Sequence, residues 1–89
     1  MNETLKKSIA ENFRNTPMGL LRIKSNLDVI HFSDTETETY LRNIILSTPL
    51  EEIETKGKNY YFNYFKNNAI LTVNSNTFTI ITAKQINTK

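Results

Sequence analysis

The residues of this sequence that could bind an anion or react with it are the cationic and amide residues near Tyr61. In Gly57-Lys58-Asn59, the glycine lets backbone amides approach a ligand, and Lys58 supplies a point charge for a phosphate. The Tyr61 ring, two residues further on, could stack on a base. Arg22 is a second cation that could bind phosphate if the fold brings it close. These residues predict a phosphate- or RNA-directed site, with Asn59 and Tyr61 as substrate-binding residues.

RNA cleavage without a metal would need a base, an acid and a cation that stabilises the phosphorane. We predict Lys58 and Arg22 as the catalytic residues of such a ribonuclease. His31 is the only histidine and could serve in acid–base chemistry at neutral pH, although a lone histidine in a connecting segment is more often structural. One histidine, no cysteine and scattered carboxylates form no recognisable metal site, so we expect no metal and no cofactor.

The acidic residues are confined to the first part of the chain. Residues 1–54 carry six basic and nine acidic residues, hence a net charge of −3, whereas residues 55–89 carry five lysines and no acid, hence +5. Selection for an anion-binding face would explain this segregation. An asparagine- and lysine-rich composition that follows from an AT-rich genome would explain it equally well.

Length and composition indicate one globular domain over residues 1–89. The hydrophobic fraction of 38% and the charged fraction of 22% are those of a folded chain rather than a disordered one. No stretch is apolar enough for a signal peptide or a membrane span, and cysteine is absent, so we expect a cytoplasmic protein with no membrane partner.

Helical patterns occupy the first half of the chain. Apolar residues recur every four positions from Leu5 to Phe13, as on one face of an amphipathic helix. Thr16-Pro17 is a favourable helix start, because the threonine oxygen can cap free amides and proline needs no donor in the first turn. Ser33 and Glu36 match a capping box at the start of a third helix. The sequence therefore predicts up to three helices.

The second half alternates between apolar and polar residues, which predicts strands. If Asn67-Asn68 and Ser75-Asn76 are two-residue turns, Tyr64 pairs with Leu71 and Leu71 pairs with Ile80. Both pairings assign the same two faces. The predicted core face comprises Phe62, Tyr64, Leu71, Val73, Phe78 and Ile80. The predicted polar face comprises Tyr61, Asn63, Thr72, Asn74, Thr77 and Thr79.

These patterns predict an α+β fold. Two to three N-terminal helices, within about residues 4–47, pack on one face of a three- to four-stranded antiparallel sheet, within about residues 51–86. The other face of the sheet is left open, and Thr72 and Asn74 join the predicted substrate-binding residues there. In antiparallel sheets such a face is often merely solvated.

Several short motifs together carry a family resemblance. They are Arg22-Ile23 with Asn26-Leu27, Gly57-Lys58-Asn59 with Tyr61, Thr72-Val73-Asn74, and Ile80-Ile81-Thr82-Ala83. The set resembles a family of small, uncharacterised proteins of low-GC Gram-positive bacteria and covers about residues 16–86. This resemblance implies the fold more than a function, because the family has no established activity.

A more distant likeness concerns the architecture. Helices followed by an antiparallel sheet are similar to the barnase, colicin and RelE-like group of metal-independent ribonucleases, which use the open sheet face. By this analogy the predicted site residues would lie at or near that face: Arg22, Lys58, Asn59, Tyr61, Thr72 and Asn74. Fold analogy alone does not establish the activity.

Two other classes of function stay open. A non-enzymatic interaction module, such as a phage- or mobile-element-type inhibitor or an antitoxin-like subunit, would dock another protein on the sheet face. A self-assembling domain would use Phe65, Ile70 and Ile81 as a homodimer patch. The predicted partners are therefore RNA, another protein or a second copy of the chain.

Overall fold

Three helices precede a four-stranded antiparallel sheet, which confirms the predicted α+β class. The computed structural model describes residues 1–86. The elements are α1 (Glu3–Asn12), α2 (Pro17–Asn26), α3 (Asp34–Ser47), β1 (Ile53–Lys56), β2 (Asn59–Tyr64), β3 (Ala69–Asn74) and β4 (Ile80–Gln85). One 3₁₀ turn, at Leu50–Glu52, precedes β1, and a second, at Phe65–Asn67, follows β2. Within residues 1–86, no helix is long and apolar enough to cross a bilayer.

Each helix begins at a side-chain cap. The Asn2 Oδ1 accepts a hydrogen bond from the Leu5 N–H at 2.8 Å, and the Thr16 Oγ1 accepts one from Gly19 at 3.0 Å. Ser33 and Glu36 form the predicted capping box, in which each side chain accepts a hydrogen bond from the other residue's backbone N–H. These bonds satisfy amides that the first helical turn leaves without acceptors.

The core lies between the helices and one face of the sheet. The strands lie in the order β1-β2-β3-β4, and every neighbouring pair is antiparallel. Phe62, Leu71 and Val73 on this face have no exposed surface, and Ile80 is also buried. Burying each of these side chains contributes about 1.5–3 kcal/mol. Tyr64 and Phe78, also predicted on the core face, pack against the core while partly exposed.

A buried lysine joins α1 to the end of α3. The Lys6 Nζ donates hydrogen bonds to the carbonyl oxygens of Leu46 at 3.1 Å and Thr48 at 3.2 Å. It also forms an ion pair with Glu3 at 3.1 Å. Carbonyl oxygens in the last turn of a helix have no N–H donor within the helix itself. The lysine therefore supplies donors to the C-terminal end of α3 and fixes α1 against it.

The β2–β3 connection is longer than the predicted two-residue turn. A 3₁₀ turn over Phe65–Asn67 is followed by Asn68 in the left-handed conformation, with φ 52°. Leu71 therefore pairs with Phe62 and not, as predicted, with Tyr64. The predicted pairing is wrong by two residues. Because side chains alternate with a period of two, the shift leaves every residue of this hairpin on its predicted face.

The β3–β4 connection is also longer than predicted. The Asn74 Oδ1 accepts hydrogen bonds from the N–H groups of Asn76 at 2.9 Å and Thr77 at 3.0 Å, which builds a wider turn. Phe78 ends this turn with φ 58°. The prediction that Thr77 and Thr79 lie on the polar sheet face is wrong, because both precede β4 and their hydroxyls bond to each other at 2.9 Å.

The longer turn changes the register of β4. Leu71 pairs with Ala83 rather than with Ile80, and Thr72 pairs with Thr82. Ile80 pairs with Val73, so the register shifts by one residue along the strand. This irregularity is a bulge, which lets Ile80 and Ala83 both enter the core although they are three residues apart.

Candidate functional site

A shallow cavity crosses the sheet face that the helices leave open. Its volume is about 420 Å³, and all four strands contribute to its wall. We call it the trough. Its lining residues are Glu54, Lys56, Asn59, Tyr61, Asn63, Ile70, Thr72, Ile81, Thr82 and Lys84. On β1, β2 and β3 they share this face because alternate side chains point away from the core, whereas on β4 the bulge lets the adjacent residues Ile81 and Thr82 both line it.

Two polar residues form the floor of the trough. Thr72 is 4% exposed and Asn63 is 8% exposed, although both lie on the face without helices. The Asn63 Nδ2 donates hydrogen bonds to the Glu52 carbonyl oxygen at 3.1 Å and to the Glu54 Oε1 at 3.0 Å. Asn63 therefore holds β1 against β2 and fixes the Glu54 carboxylate, which leaves its amide less available for a ligand.

Two lysines stand on opposite sides of the trough, Lys56 on β1 and Lys84 on β4. Lys56 pairs with Asn59 of β2. Lys84 pairs with Ile70 of β3, which in turn pairs with Asn63 of β2. Asn63 lies four residues beyond Asn59 along β2. Three strand spacings of about 4.8 Å and four residues of about 3.3 Å place their Cα atoms about 20 Å apart. The trough therefore carries a positive charge at each end of one diagonal.

Tyr61 lies between these cations and is partly exposed. The Lys56 Nζ is 5.9 Å from the centroid of its ring. The same Nζ is 3.6 Å from the Glu54 Oε2. Glu54 is the only carboxylate among the residues that line the trough within the described part of the chain. The ring is thus partly accessible, with a cation beside it, in a cavity lined by two lysines and one carboxylate.

The structure brings together three of the six predicted site residues. Asn59, Tyr61 and Thr72 line the trough. Asn74 belongs to the same face of the sheet, but its side-chain oxygen is bound in the β3–β4 turn. The Asn74 side chain therefore stabilises the β3–β4 turn, and its role as a substrate-binding residue stays a prediction.

The two predicted catalytic residues lie apart from the trough. Lys58 is exposed in the two-residue turn between β1 and β2, beside Asn59, and does not line the trough. Arg22 lies on α2 and lines a second cavity. His31 is exposed in the α2–α3 connection, where its ring packs edge to face against the Phe32 ring, with the two centroids 4.9 Å apart. Neither the trough nor the second cavity is lined by both Lys58 and Arg22, and their catalytic role stays a prediction.

The second cavity is a groove between α2 and β4. Its volume is about 430 Å³. We call it the α2–β4 groove. Its lining residues are Thr16, Met18, Gly19, Arg22, Ile23, Asn26, Ile80, Ile81, Thr82 and Ala83. Ile81 and Thr82 line both cavities, so the groove and the trough meet at β4.

Four polar or charged residues of the trough were not predicted from the sequence: Glu54, Lys56, Thr82 and Lys84. Asn63 was predicted on the polar face but not as a site residue. Strand alternation could have placed Glu54 and Lys56 there, because they pair with the predicted site residues Tyr61 and Asn59 across β1 and β2. Thr82 and Lys84 depend on the β4 register, which the wider turn determines. Of the predicted homodimer patch, Ile70 and Ile81 line the trough, whereas Phe65 lies in the turn after β2.

The fold and the site define a small α+β protein with an open, polar sheet face that carries lysines. The chain belongs to the family described as "Protein of unknown function (DUF3781)", whose model matches residues 7–84. This match runs from α1 into β4 and confirms the predicted membership of an uncharacterised family. Comparison with curated proteins and with solved structures finds no match.

Proposed function

We propose that the trough binds single-stranded RNA. Lys56 and Lys84 bind phosphates, the Tyr61 ring stacks on a base, and Asn59 and Thr82 offer hydrogen bonds to the sugar or base edges. The observation that carries the proposal is the placement of two lysines and a partly exposed aromatic ring along one open sheet face. Cationic side chains that follow the backbone, combined with aromatic stacking, are the usual means of binding single strands.

The size of the trough supports a chain ligand rather than a single phosphate. The Cα atoms of Lys56 and Lys84 are about 20 Å apart by strand geometry. Successive phosphates of one stacked strand rise by about 3.4 Å each. One small anion cannot contact both lysines at such a separation. A segment of several nucleotides can, and it also passes over Tyr61.

We propose binding without cleavage. General acid–base catalysis needs two groups that can exchange protons within reach of the scissile phosphate. The trough lining in the described part of the chain includes no histidine, the side chain most often used for this chemistry, and Asn63 and Lys56 both contact its one carboxylate, Glu54. The predicted catalytic cations, Lys58 and Arg22, lie outside this lining. Cleavage by a Lys58-dependent ribonuclease is therefore the competing outcome of the test.

The test uses a fluorescent twelve-nucleotide oligouridylate and measures anisotropy at low salt. Removing a lysine that contacts a phosphate costs about 1 kcal/mol, since two charges about 4 Å apart in water interact by that amount. Lys56→Ala and Lys84→Ala should each weaken binding about fivefold, because 1.4 kcal/mol corresponds to tenfold. Lys66→Ala is the matched control, since this exposed lysine lies in the turn after β2 and outside the trough.

The same samples, run on a denaturing gel, reveal whether the RNA stays intact. Intact RNA, with losses confined to Lys56→Ala and Lys84→Ala, supports the proposal. Equal losses in the Lys66→Ala control, or no binding by the unchanged protein, would refute it. RNA cleavage that Lys58→Ala abolishes would establish the ribonuclease instead.

A further inference from the structure

The outer edge of β4 has unpaired backbone groups. β4 is the last strand of the sheet, so alternate residues direct their N–H and C=O groups away from β3. Within residues 1–86, the one backbone hydrogen bond that a residue of β4 forms on this outer edge is donated by the Ile80 N–H to the Arg14 carbonyl at 2.9 Å. Beyond Ile80, the edge runs along the α2–β4 groove.

The chain itself begins a fifth strand at this edge and then leaves it. Arg14 forms a parallel bridge with Thr79, in which the Arg14 N–H donates to the Phe78 carbonyl at 2.9 Å and the Arg14 carbonyl accepts from Ile80. Two residues later Thr16 caps α2, and Pro17 begins the helix. The edge of β4 therefore accepts an extended segment at its first residues, and α2 diverts the chain before the pairing continues.

The side chains of the groove specify the chemistry of an occupant. Met18 is 72% exposed and Ile81 is 51% exposed, so both can contact apolar side chains. Arg22 forms no hydrogen bond or ion pair with any residue from 1 to 86 and is exposed. The lining residues of the groove, all within the described chain, include no Asp or Glu. A carboxylate on the occupant would therefore find an arginine without competition.

We propose that the α2–β4 groove binds an extended, acidic segment of a partner protein, which adds to β4 as a fifth strand. Backbone hydrogen bonds to the β4 edge supply affinity that does not depend on sequence, and the grooves for alternate side chains supply specificity. A carboxylate of the segment pairs with Arg22, and its apolar side chains contact Met18 and Ile81. The site has its own cation, Arg22, and its own strand edge, but it shares Ile81 and the proposed RNA contact Thr82 with the trough.

Charge complementarity argues against a second copy of this chain as the occupant. The β4 sequence, Ile-Ile-Thr-Ala-Lys-Gln over residues 80–85, has no acidic residue to pair with Arg22. Pairing of two β4 edges would bring two chains of net charge +2 together. An acidic segment supplies the charge that β4 lacks.

The test uses a synthetic hexapeptide, acetyl-Thr-Val-Glu-Val-Thr-Val-amide, and a ¹⁵N-labelled sample of the full chain observed by NMR. We expect the amide signals of residues 81–84 to shift and their hydrogen exchange to slow. The same peptide N-methylated at its four central residues keeps its side chains but loses backbone donors, and it should bind at least tenfold more weakly. Shifts of the same size with the N-methylated peptide would overturn strand addition.

A charge exchange tests the role of Arg22. Arg22→Glu should bind the acidic peptide at least tenfold more weakly and should prefer a peptide with lysine in place of glutamate. Because Arg22 is exposed, the dispersion of the remaining NMR signals should stay unchanged, which verifies folding. Failure of the unchanged protein to bind either peptide, or slowed exchange at residues 81–84 through dimerisation alone, would overturn the proposal. If the amide signals of Tyr61 and Lys56 shift instead of those of β4, the peptide binds in the trough, and this result would also contradict the proposal.

Discussion

The Lys56 Nζ lies 5.9 Å from the centroid of the Tyr61 ring, on a neighbouring strand. A cation at this distance interacts favourably with the ring by about 0.5–1 kcal/mol at an exposed site. Lys56 also faces Glu54, at 3.6 Å. The lysine is therefore placed between an aromatic ring and a carboxylate, and the carboxylate reduces the positive charge that the trough presents to an anion.

Removing the charge of Glu54 should strengthen RNA binding. Glu54→Gln keeps an oxygen that can accept the hydrogen bond from Asn63 but no longer neutralises Lys56. Loss of a repulsive charge about 4 Å from a phosphate corresponds to about 1 kcal/mol in water. We expect about fivefold tighter binding of the oligouridylate at low salt, measured by anisotropy. Glu51→Gln, an exposed change outside the trough, should have a much smaller effect. Equal or weaker binding by Glu54→Gln would count against the trough as the RNA site.

Lys6 should contribute to stability through its bonds to α3. Lys6→Met keeps most of the buried side-chain volume but leaves the Leu46 and Thr48 carbonyl oxygens without this donor. Leaving buried polar groups unsatisfied costs about 1–3 kcal/mol. We expect the free energy of unfolding in urea to fall by that amount. Lys7→Met changes the exposed neighbour and should alter stability by less than about 0.5 kcal/mol. Equal effects of the two changes would show that the bonds to α3 contribute nothing.

Gly57 should be required by the conformation of the β1–β2 turn. Its φ is +59°, and no atom lies within 4 Å of the position that a Cβ would occupy. The penalty for Gly57→Ala therefore comes from the backbone and not from a steric clash with neighbours. A left-handed conformation costs an L-residue about 1–2 kcal/mol, so urea unfolding should show a loss of that size. Lys58→Ala, in the same turn, should leave the free energy of unfolding nearly unchanged. An unchanged free energy of unfolding for Gly57→Ala would disprove the conformational requirement.

Glu36 should make stability depend on pH in the acidic range. The hydrogen bond that its carboxylate accepts from the Ser33 N–H holds the pKa of Glu36 below its ordinary value of 4.5. The folded state thus favours the ionised form. Its contribution to stability is complete above pH 4.5 and is lost as the pH falls through the lowered pKa.

The variant Glu36→Gln isolates this contribution, because glutamine cannot ionise. The difference in unfolding free energy between the unchanged protein and Glu36→Gln should shrink between about pH 6 and about pH 3. Glu38→Gln, at an exposed position on the same helix, is the matched control for the loss of one carboxylate. A constant difference for Glu36→Gln across this range would contradict the role of the capping box.

The helices were predictable because local chemistry determines their ends. The caps at Thr16 and Ser33 lie within a few residues of the amides that they bind. The strand pairings were not predictable, because turn length determines them. Asn68 and Phe78 both adopt positive φ, and each lengthens a turn that the sequence presented as two residues. The face assignment of the β2–β3 hairpin is correct only because the error in its predicted pairing is an even number of residues.

The site was predictable to the extent that it depends on β2 and β3. Asn59, Tyr61 and Thr72 follow from strand alternation alone. Lys84 required the register of β4, which a bulge alters. The position of Arg22 beside β4 depends on how α2 packs, and no local pattern in the sequence specifies that.

The salt dependence of RNA binding tests the central claim most directly. Each phosphate contact to a single strand contributes about −0.7 to the slope of log K against log salt concentration. Lys84→Ala should make this slope shallower by about 0.7, because one phosphate contact is lost. Tyr61→Leu should weaken binding by about 1–3 kcal/mol at every salt concentration and leave the slope unchanged, because stacking releases no counterions. That pair of results would establish the trough as the RNA site. An unchanged slope for Lys84→Ala, or full affinity for Tyr61→Leu, would contradict it.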